Sequence, residues 1–106
     1  MTDTMIICRI LKTLQKWRGR EDFEPELIAA GRMRLEYASW EQLIIELQRA
    51  GYIDGVVYVQ TLSDKFPHIV EPLQPRITLK GIEYLEENSA MKRAADALRM
   101  IGEFIP

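Results

Sequence analysis

The order of elements in the middle of this 106-residue chain constrains its fold more than any other feature. Residues 39–50 place apolar side chains at helical spacing, and Gly51 follows them directly. A run rich in β-forming residues comes next, at 52–60, followed by a polar loop at 61–68. After a return strand, residues 78–88 again show helical spacing. Helix, strand, loop, strand and helix in this order indicate an α+β winged-helix domain, which offers a helix and a β-hairpin to a partner.

Capping residues predict where the two helices begin and end. Ser39 and Gln42 have the spacing of a capping box, in which the hydroxyl reaches a backbone amide and the amide side chain reaches back. Gly51 supplies the left-handed residue that closes a helix. Thr78 is placed to cap the later helix, and Gly81 within that helix predicts a close crossing with another element.

The remaining parts of the predicted domain are shorter. Residues 4–18 read as an amphipathic helix, and Pro25–Ala30 as a short helix that begins with proline and is capped by Gly31. The return strand falls either at His68–Glu71 or within Leu73–Ile77, since nearby prolines are tolerated at a sheet edge. The whole chain, 1–106, is therefore predicted to be one domain with a core at about 4–88.

A final amphipathic helix is predicted at about 89–105. Its apolar stripe includes Met91, Leu98, Ile101 and Ile105. This stripe can pack on the first helix of its own chain or on a second copy. A homodimer formed through these residues is therefore one expectation.

Composition narrows the classes of protein that need considering. Hydrophobic residues make up 47% and charged residues 28% of the chain, as in ordinary globular domains. No apolar run approaches the roughly 20 residues that span a bilayer. The segment Met1–Thr4 has an acid and no basic residue, unlike a signal peptide. Because Cys8 is the single cysteine, no internal disulfide can form, and a cytoplasmic protein with no membrane association is expected.

Charge is unevenly distributed along the chain, although the net charge is only −2. Residues 1–20 carry five Lys or Arg and one acid, whereas residues 36–50 carry three Glu and one Arg. Nucleic acids favour basic surfaces because released counterions supply much of the affinity. The first helix therefore offers a basic patch, and the middle of the chain does not.

Two blocks of sequence resemble a known family. The first is Gly51-Tyr52-Ile53, and the second is Pro75-Arg76-Ile77-Thr78-Leu79-Lys80-Gly81-Ile82-Glu83-Tyr84-Leu85-Glu86-Glu87-Asn88-Ser89. Together they resemble the YjcQ-like family of small bacterial and phage-type winged-helix proteins. The resemblance covers most of the chain and implies the fold. It implies no mechanism and no functional residues.

Two classes of function are compatible with this sequence. The first is a DNA-binding transcription regulator, such as one of phage origin, whose helix at residues 39–50 enters the major groove of double-stranded DNA. Its base-reading residues would be Gln42, Ile45, Gln48 and Arg49, and its phosphate contacts would be Lys65, Lys16, Arg18 and Arg20. Glu41 and Glu46, expected on the same exposed face, would repel phosphates. The second class is therefore a non-catalytic protein-interaction module that keeps the fold without affinity for DNA.

Neither an enzyme nor a metal-binding protein is expected. Ser63, Asp64 and His68 lie in one short loop, without a neighbouring sequence that would form an oxyanion hole. One histidine and one distant cysteine fall short of a metal-ligand set. The sequence therefore predicts no catalytic residue, no metal and no cofactor.

Overall fold

The computed structural model describes residues 2–88, which form an α+β fold whose order of elements is compatible with a winged helix. The elements are α1 (Asp3–Lys16), a 3₁₀ helix (Pro25–Ile28), α2 (Tyr37–Arg49), β1 (Ile53–Asp54), β2 (Tyr58–Val59), β3 (His68–Ile69), β4 (Arg76–Ile77) and α3 (79–88). The predicted dimerisation residues Met91, Leu98, Ile101 and Ile105 lie outside the described residues.

The strands form two separate antiparallel pairs instead of one hairpin. Ile53 of β1 pairs with Ile77 of β4, and Tyr58 of β2 pairs with Ile69 of β3. The strand expected at 52–60 is interrupted at Gly55, whose φ of +87° turns the chain. Both predicted positions of the return strand are therefore occupied, one in each pair. Residues 56–70, which carry β2 and β3, are called the wing below.

Helix α2 begins at Tyr37, two residues before the predicted cap at Ser39. The Tyr37 ring packs against Trp40 with 5.5 Å between ring centroids, and its hydroxyl donates to Glu41 at 3.3 Å. These contacts to the third and fourth following residues require helical backbone from position 37 onwards. The predicted capping box is therefore wrong, and the Gln42 amide contacts the wing instead.

The C-terminal end of α2 is closed as the sequence predicts. Gly51 has a φ of +88°, and its N–H donates to the carbonyl of Gln48 at 2.9 Å. The N–H of Tyr52 donates to the carbonyl of Leu47 at 3.0 Å, which completes a Schellman motif. By contrast, the 3₁₀ helix ends at Ile28, so the predicted cap at Gly31 is wrong.

The start of α3 is fixed against the end of α2. The hydroxyl oxygen of Thr78 accepts from the N–H of Gly81 at 3.1 Å and the same hydroxyl donates to the carbonyl of Gly51, so the predicted cap is confirmed. A Cβ at position 81 would overlap the carbonyl of Tyr52 and come 2.8 Å from Ile77. The close crossing predicted at Gly81 is therefore present.

One apolar core joins α1, the 3₁₀ helix, α2 and the β1–β4 pair. Its most deeply buried members include Ile10, Leu11, Ile28, Ile44 and Ile53. At its edge the Trp40 indole N–H donates to the carbonyl of Ile28 at 2.7 Å, which satisfies a buried polar group. Among residues 2–88, no helix has the length and apolar character needed to cross a membrane.

Candidate functional site: the wing and the helix beneath it

The wing folds back over the polar face of α2, and Glu41 of α2 binds the edge of the wing. The Glu41 carboxylate accepts from the backbone N–H of Ile69 at 3.0 Å and lies 2.9 Å from His68 Nδ1. It also accepts from the Tyr37 hydroxyl at 3.3 Å. Glu41 is only 4% exposed, so the prediction of a solvated carboxylate at this position is wrong. The outer edge of β3 is instead bound to α2.

Hydrogen bonding outweighs burial in setting the charge of this glutamate. Burial raises the pKa of Glu41, whereas hydrogen bonds from the Ile69 N–H and the His68 ring lower it, and the net pKa lies below the ordinary value of 4.5. Burial and the adjacent Glu41 charge raise the pKa of Tyr37. The carboxylate is therefore anionic at neutral pH, and the tyrosine remains a donor to it.

The two glutamines predicted to read DNA bases contact the wing backbone. The Gln48 side chain accepts from the N–H of Val56 and donates to the carbonyl of the same residue, both at 2.7 Å. The Gln42 side chain donates to the carbonyl of Pro67 at 2.9 Å. The Gln48 contact holds the start of the wing against α2, and the Gln42 contact holds the part of the wing next to β3.

Ile45 and Arg49 complete the same contact surface. Ile45 is 0% exposed and lies one helical turn from both Glu41 and Arg49, which places it beneath the wing. Its side chain would have to become exposed before it could enter the major groove. Arg49 Nε donates to the Tyr58 hydroxyl at 3.4 Å, and its guanidinium lies 5.3 Å from the centre of that ring. All four predicted base-reading residues thus face the wing or lie beneath it.

The predicted phosphate-binding residues are exposed at two different places. Lys16, Arg18 and Arg20 follow one another at the end of α1, and Arg18 and Arg20 line a groove of about 430 Å³ together with Arg76. The Arg20 guanidinium stacks on Trp17 and lies 4.5 Å from the centre of its ring. Lys65 belongs to the tip of the wing and does not line this groove.

The outer face of the wing exposes an unusual number of apolar side chains. Five of the eight large hydrophobic residues exposed within residues 2–88 lie in the wing, namely Val57, Val59 and Val70 in or beside its strands and Leu62 and Phe66 in the loop between them. The N–H of Val70 donates to the carbonyl of Val57 at 2.8 Å, so these two side chains stand opposite each other. The alternate residues Tyr58 and Ile69 pack against the core.

This apolar face has a signal in the sequence. Val56-Val57-Tyr58-Val59 shows no alternation of apolar and polar residues. An uninterrupted apolar run fits a strand that is buried on both faces. In a two-stranded hairpin only one face can pack on the core, so the other is left exposed.

The polar residues at the tip of the wing stabilise the loop itself. Asp64 accepts from the N–H of Thr61 at 3.0 Å and from its hydroxyl at 2.9 Å, and these bonds hold the pKa of Asp64 below its ordinary value. The Ser63 hydroxyl bonds to that of Thr61 at 3.2 Å. Asp64 Oδ1 lies 3.8 Å from His68 Nε2. Within residues 2–88, no three His, Cys, Asp or Glu side chains are grouped so that they could hold a metal ion.

Comparison with known proteins places the chain in a family without giving it an activity. The family model described as YjcQ protein matches residues 8–104. The uncharacterized protein YjcQ of Bacillus subtilis (strain 168) is 41% identical over 59 residues, which are 56% of this chain and 57% of that protein. The match thus spans little more than half of that relative. No solved structure is significantly similar to the chain.

Proposed function

The chain belongs to the YjcQ family, and we propose that it is a non-catalytic protein-interaction module that does not read DNA through α2. The exposed apolar face of the wing carries this proposal. Contiguous apolar surface on a small domain commonly marks a site of protein contact. We place this module in the cytoplasm because Cys8 is the single cysteine of the chain.

The contacts of α2 support the same proposal, because they occupy the helix face that a recognition helix would present to DNA. A recognition helix must present unpaired donors and acceptors to base edges. Here the Gln48 side chain bonds to both the N–H and the carbonyl of Val56 in the wing, and Ile45 is buried. Freeing this face would require the wing to detach and the Glu41 carboxylate to lose the N–H of Ile69.

A three-protein comparison tests the proposal. Val57→Lys with Val59→Lys places two charges on the outer face of the wing. Leu79→Lys is the control, because Leu79 is also apolar and exposed but lies outside the wing. Tagged proteins would be expressed in cells that naturally carry the gene, and bound proteins would be quantified by mass spectrometry. We expect a partner retained by the wild type and the control but lost by the wing variant. Equal retention by all three folded proteins would contradict the proposal.

DNA binding is a second candidate, favoured by the exposed basic residues at the end of α1. Lys16, Arg18 and Arg20 could contact phosphates without any part of α2, as in a regulator, such as a phage-related one, that binds the backbone of duplex DNA. Fluorescence anisotropy with mixed-sequence duplex DNA across a salt series tests this candidate. If it is correct, Arg18→Gln should weaken binding to all sequences alike and reduce the salt slope by about one unit. Absence of binding at low salt would exclude it.

A further inference from the structure

We propose that a cleft beside the wing binds a basic and apolar segment of a partner protein. The cleft lies between the start of α1, the N-terminal half of α2 and the tip of the wing, and has a volume of about 580 Å³. This inference rests on the proposed interaction function and names the chemistry of the partner. It will be called the acidic cleft.

Apolar side chains form opposite walls of the acidic cleft. Leu43 of α2 and Leu35 before it are half-buried and line one side. Phe66 of the wing tip lines the other side, and it is 60% exposed although its ring is large. A ring held half out of the protein by an ordered loop can cover an apolar side chain of a partner, because aromatic groups contribute much of the energy of such contacts.

The charges of the acidic cleft determine which partner fits. Asp3 and Glu46 line it, and neither takes part in an ion pair among residues 2–88. No Lys or Arg lines the cleft, and its third carboxylate, Glu41, is already bound to His68 and the backbone of Ile69. Two carboxylates that line the same cleft as an exposed ring attract a lysine or arginine, by ion pairing and by contact with the ring face.

The same charges exclude the other main class of partner. Phosphate groups would approach Asp3 and Glu46 with like charge, which is destabilising. The acidic cleft therefore favours a protein segment that combines Lys or Arg residues with large apolar ones. A nucleic acid would be repelled at this place.

Defined peptides test the proposal on the full chain. The probe is a fluorescein-labelled peptide of about 15 residues with Lys and Leu at helical spacing, and its control has Glu in place of every Lys. We expect the Lys peptide to bind, with affinity that falls as salt is added, and the Glu peptide not to bind. Equal binding of both peptides, or binding of neither, would overturn the proposal.

Matched variants then locate the binding. Glu46→Lys should weaken binding of the Lys peptide about tenfold, as expected for replacing attraction by repulsion. Phe66→Ser should weaken binding while leaving most of its salt dependence. Glu83 is an exposed acid of α3 outside the cleft, and Glu83→Lys should change the affinity for the Lys peptide by less than about twofold. Equal affinity of all variants would show that the peptide binds elsewhere.

Two further results separate this inference from the proposed function. If the wing-dependent partner is retained but the Lys peptide does not bind, the interaction function stands and the acidic cleft is wrongly assigned. If sedimentation shows salt-dependent self-association that Glu46→Lys abolishes, the occupant is a second copy of this chain, and the proposed partner is wrong.

Discussion

Glu41 shows why a charged residue in a helix need not face solvent. Its carboxylate is 4% exposed and is surrounded by three donors from the wing and from α2. A buried charge is destabilising unless it is hydrogen-bonded, so the wing and Glu41 depend on each other. The periodicity of α2 alone cannot reveal this, because the partners come from residues 27 and 28 positions further along the chain.

Replacing Glu41 by Gln should destabilise the protein and change its response to acid. The amide cannot accept from both Ile69 and His68 as a carboxylate does, and we expect a loss of about 1–3 kcal/mol at neutral pH. Because folding lowers the pKa of Glu41, its contribution is present above the ordinary value of 4.5 and is lost as the pH falls through the folded value. Urea melts between pH 3 and 7 should thus show a shallower acid loss in Glu41→Gln. Parallel curves would contradict this account.

Gly81 is a second residue whose role depends on a distant contact. Gly81→Ala adds a Cβ that would overlap the Tyr52 carbonyl and the Ile77 side chain. We expect a net destabilisation of about 1–3 kcal/mol despite the better helix propensity of alanine. Gly31→Ala is the control, since nothing lies within 4 Å of its added Cβ. Urea melts should show a lower free energy of unfolding for Gly81→Ala only. Equal stability of both variants would contradict the close approach of Gly81 to Tyr52.

At the scale of elements, the starts of α2 and α3 differ in how they are capped. Thr78 bonds to the N–H of Gly81, whereas Ser39 lies within the first turn of α2 and the capping residue, Glu36, makes no side-chain bond. Thr78→Ala should therefore cost about 1 kcal/mol. Ser39→Ala should change stability by less than about 0.5 kcal/mol, because it is an exposed substitution away from any cap. A larger loss of stability for Ser39→Ala in thermal melts would show that Ser39 caps α2, as the sequence predicted.

The elements that could be predicted from the sequence are those specified by nearby residues. Gly51 and Thr78 act within a few positions of themselves, so their roles follow from local rules. The break at Gly55 and the fold-back of the wing depend on pairing across the chain, such as Gln48 with Val56 and Glu41 with Ile69. The general fold was therefore predictable, whereas the occupied face of α2 and the acidic cleft were not.

For the whole molecule, the position of the wing separates surfaces of different chemistry. Basic residues gather at the end of α1, the outer face of the wing is apolar, and Asp3 and Glu46 lie in the acidic cleft. A DNA-reading winged helix would instead join α2 and the wing into one basic surface. This difference is the basis on which we propose a protein partner for the wing.

The wing occupies the face of α2 that a DNA-reading winged helix presents to the major groove. The most direct measurement is an NMR titration of the labelled protein with mixed-sequence duplex DNA at low salt, where electrostatic attraction is strongest. We predict unchanged amide signals for Glu41–Arg49 of α2 and for Ile69, whose N–H is bound to Glu41. Any shifts should be confined to the end of α1, around Arg18 and Arg20. Saturable shifts along α2 together with loss of the Ile69 contact would show that the wing opens to admit DNA, and would contradict the account.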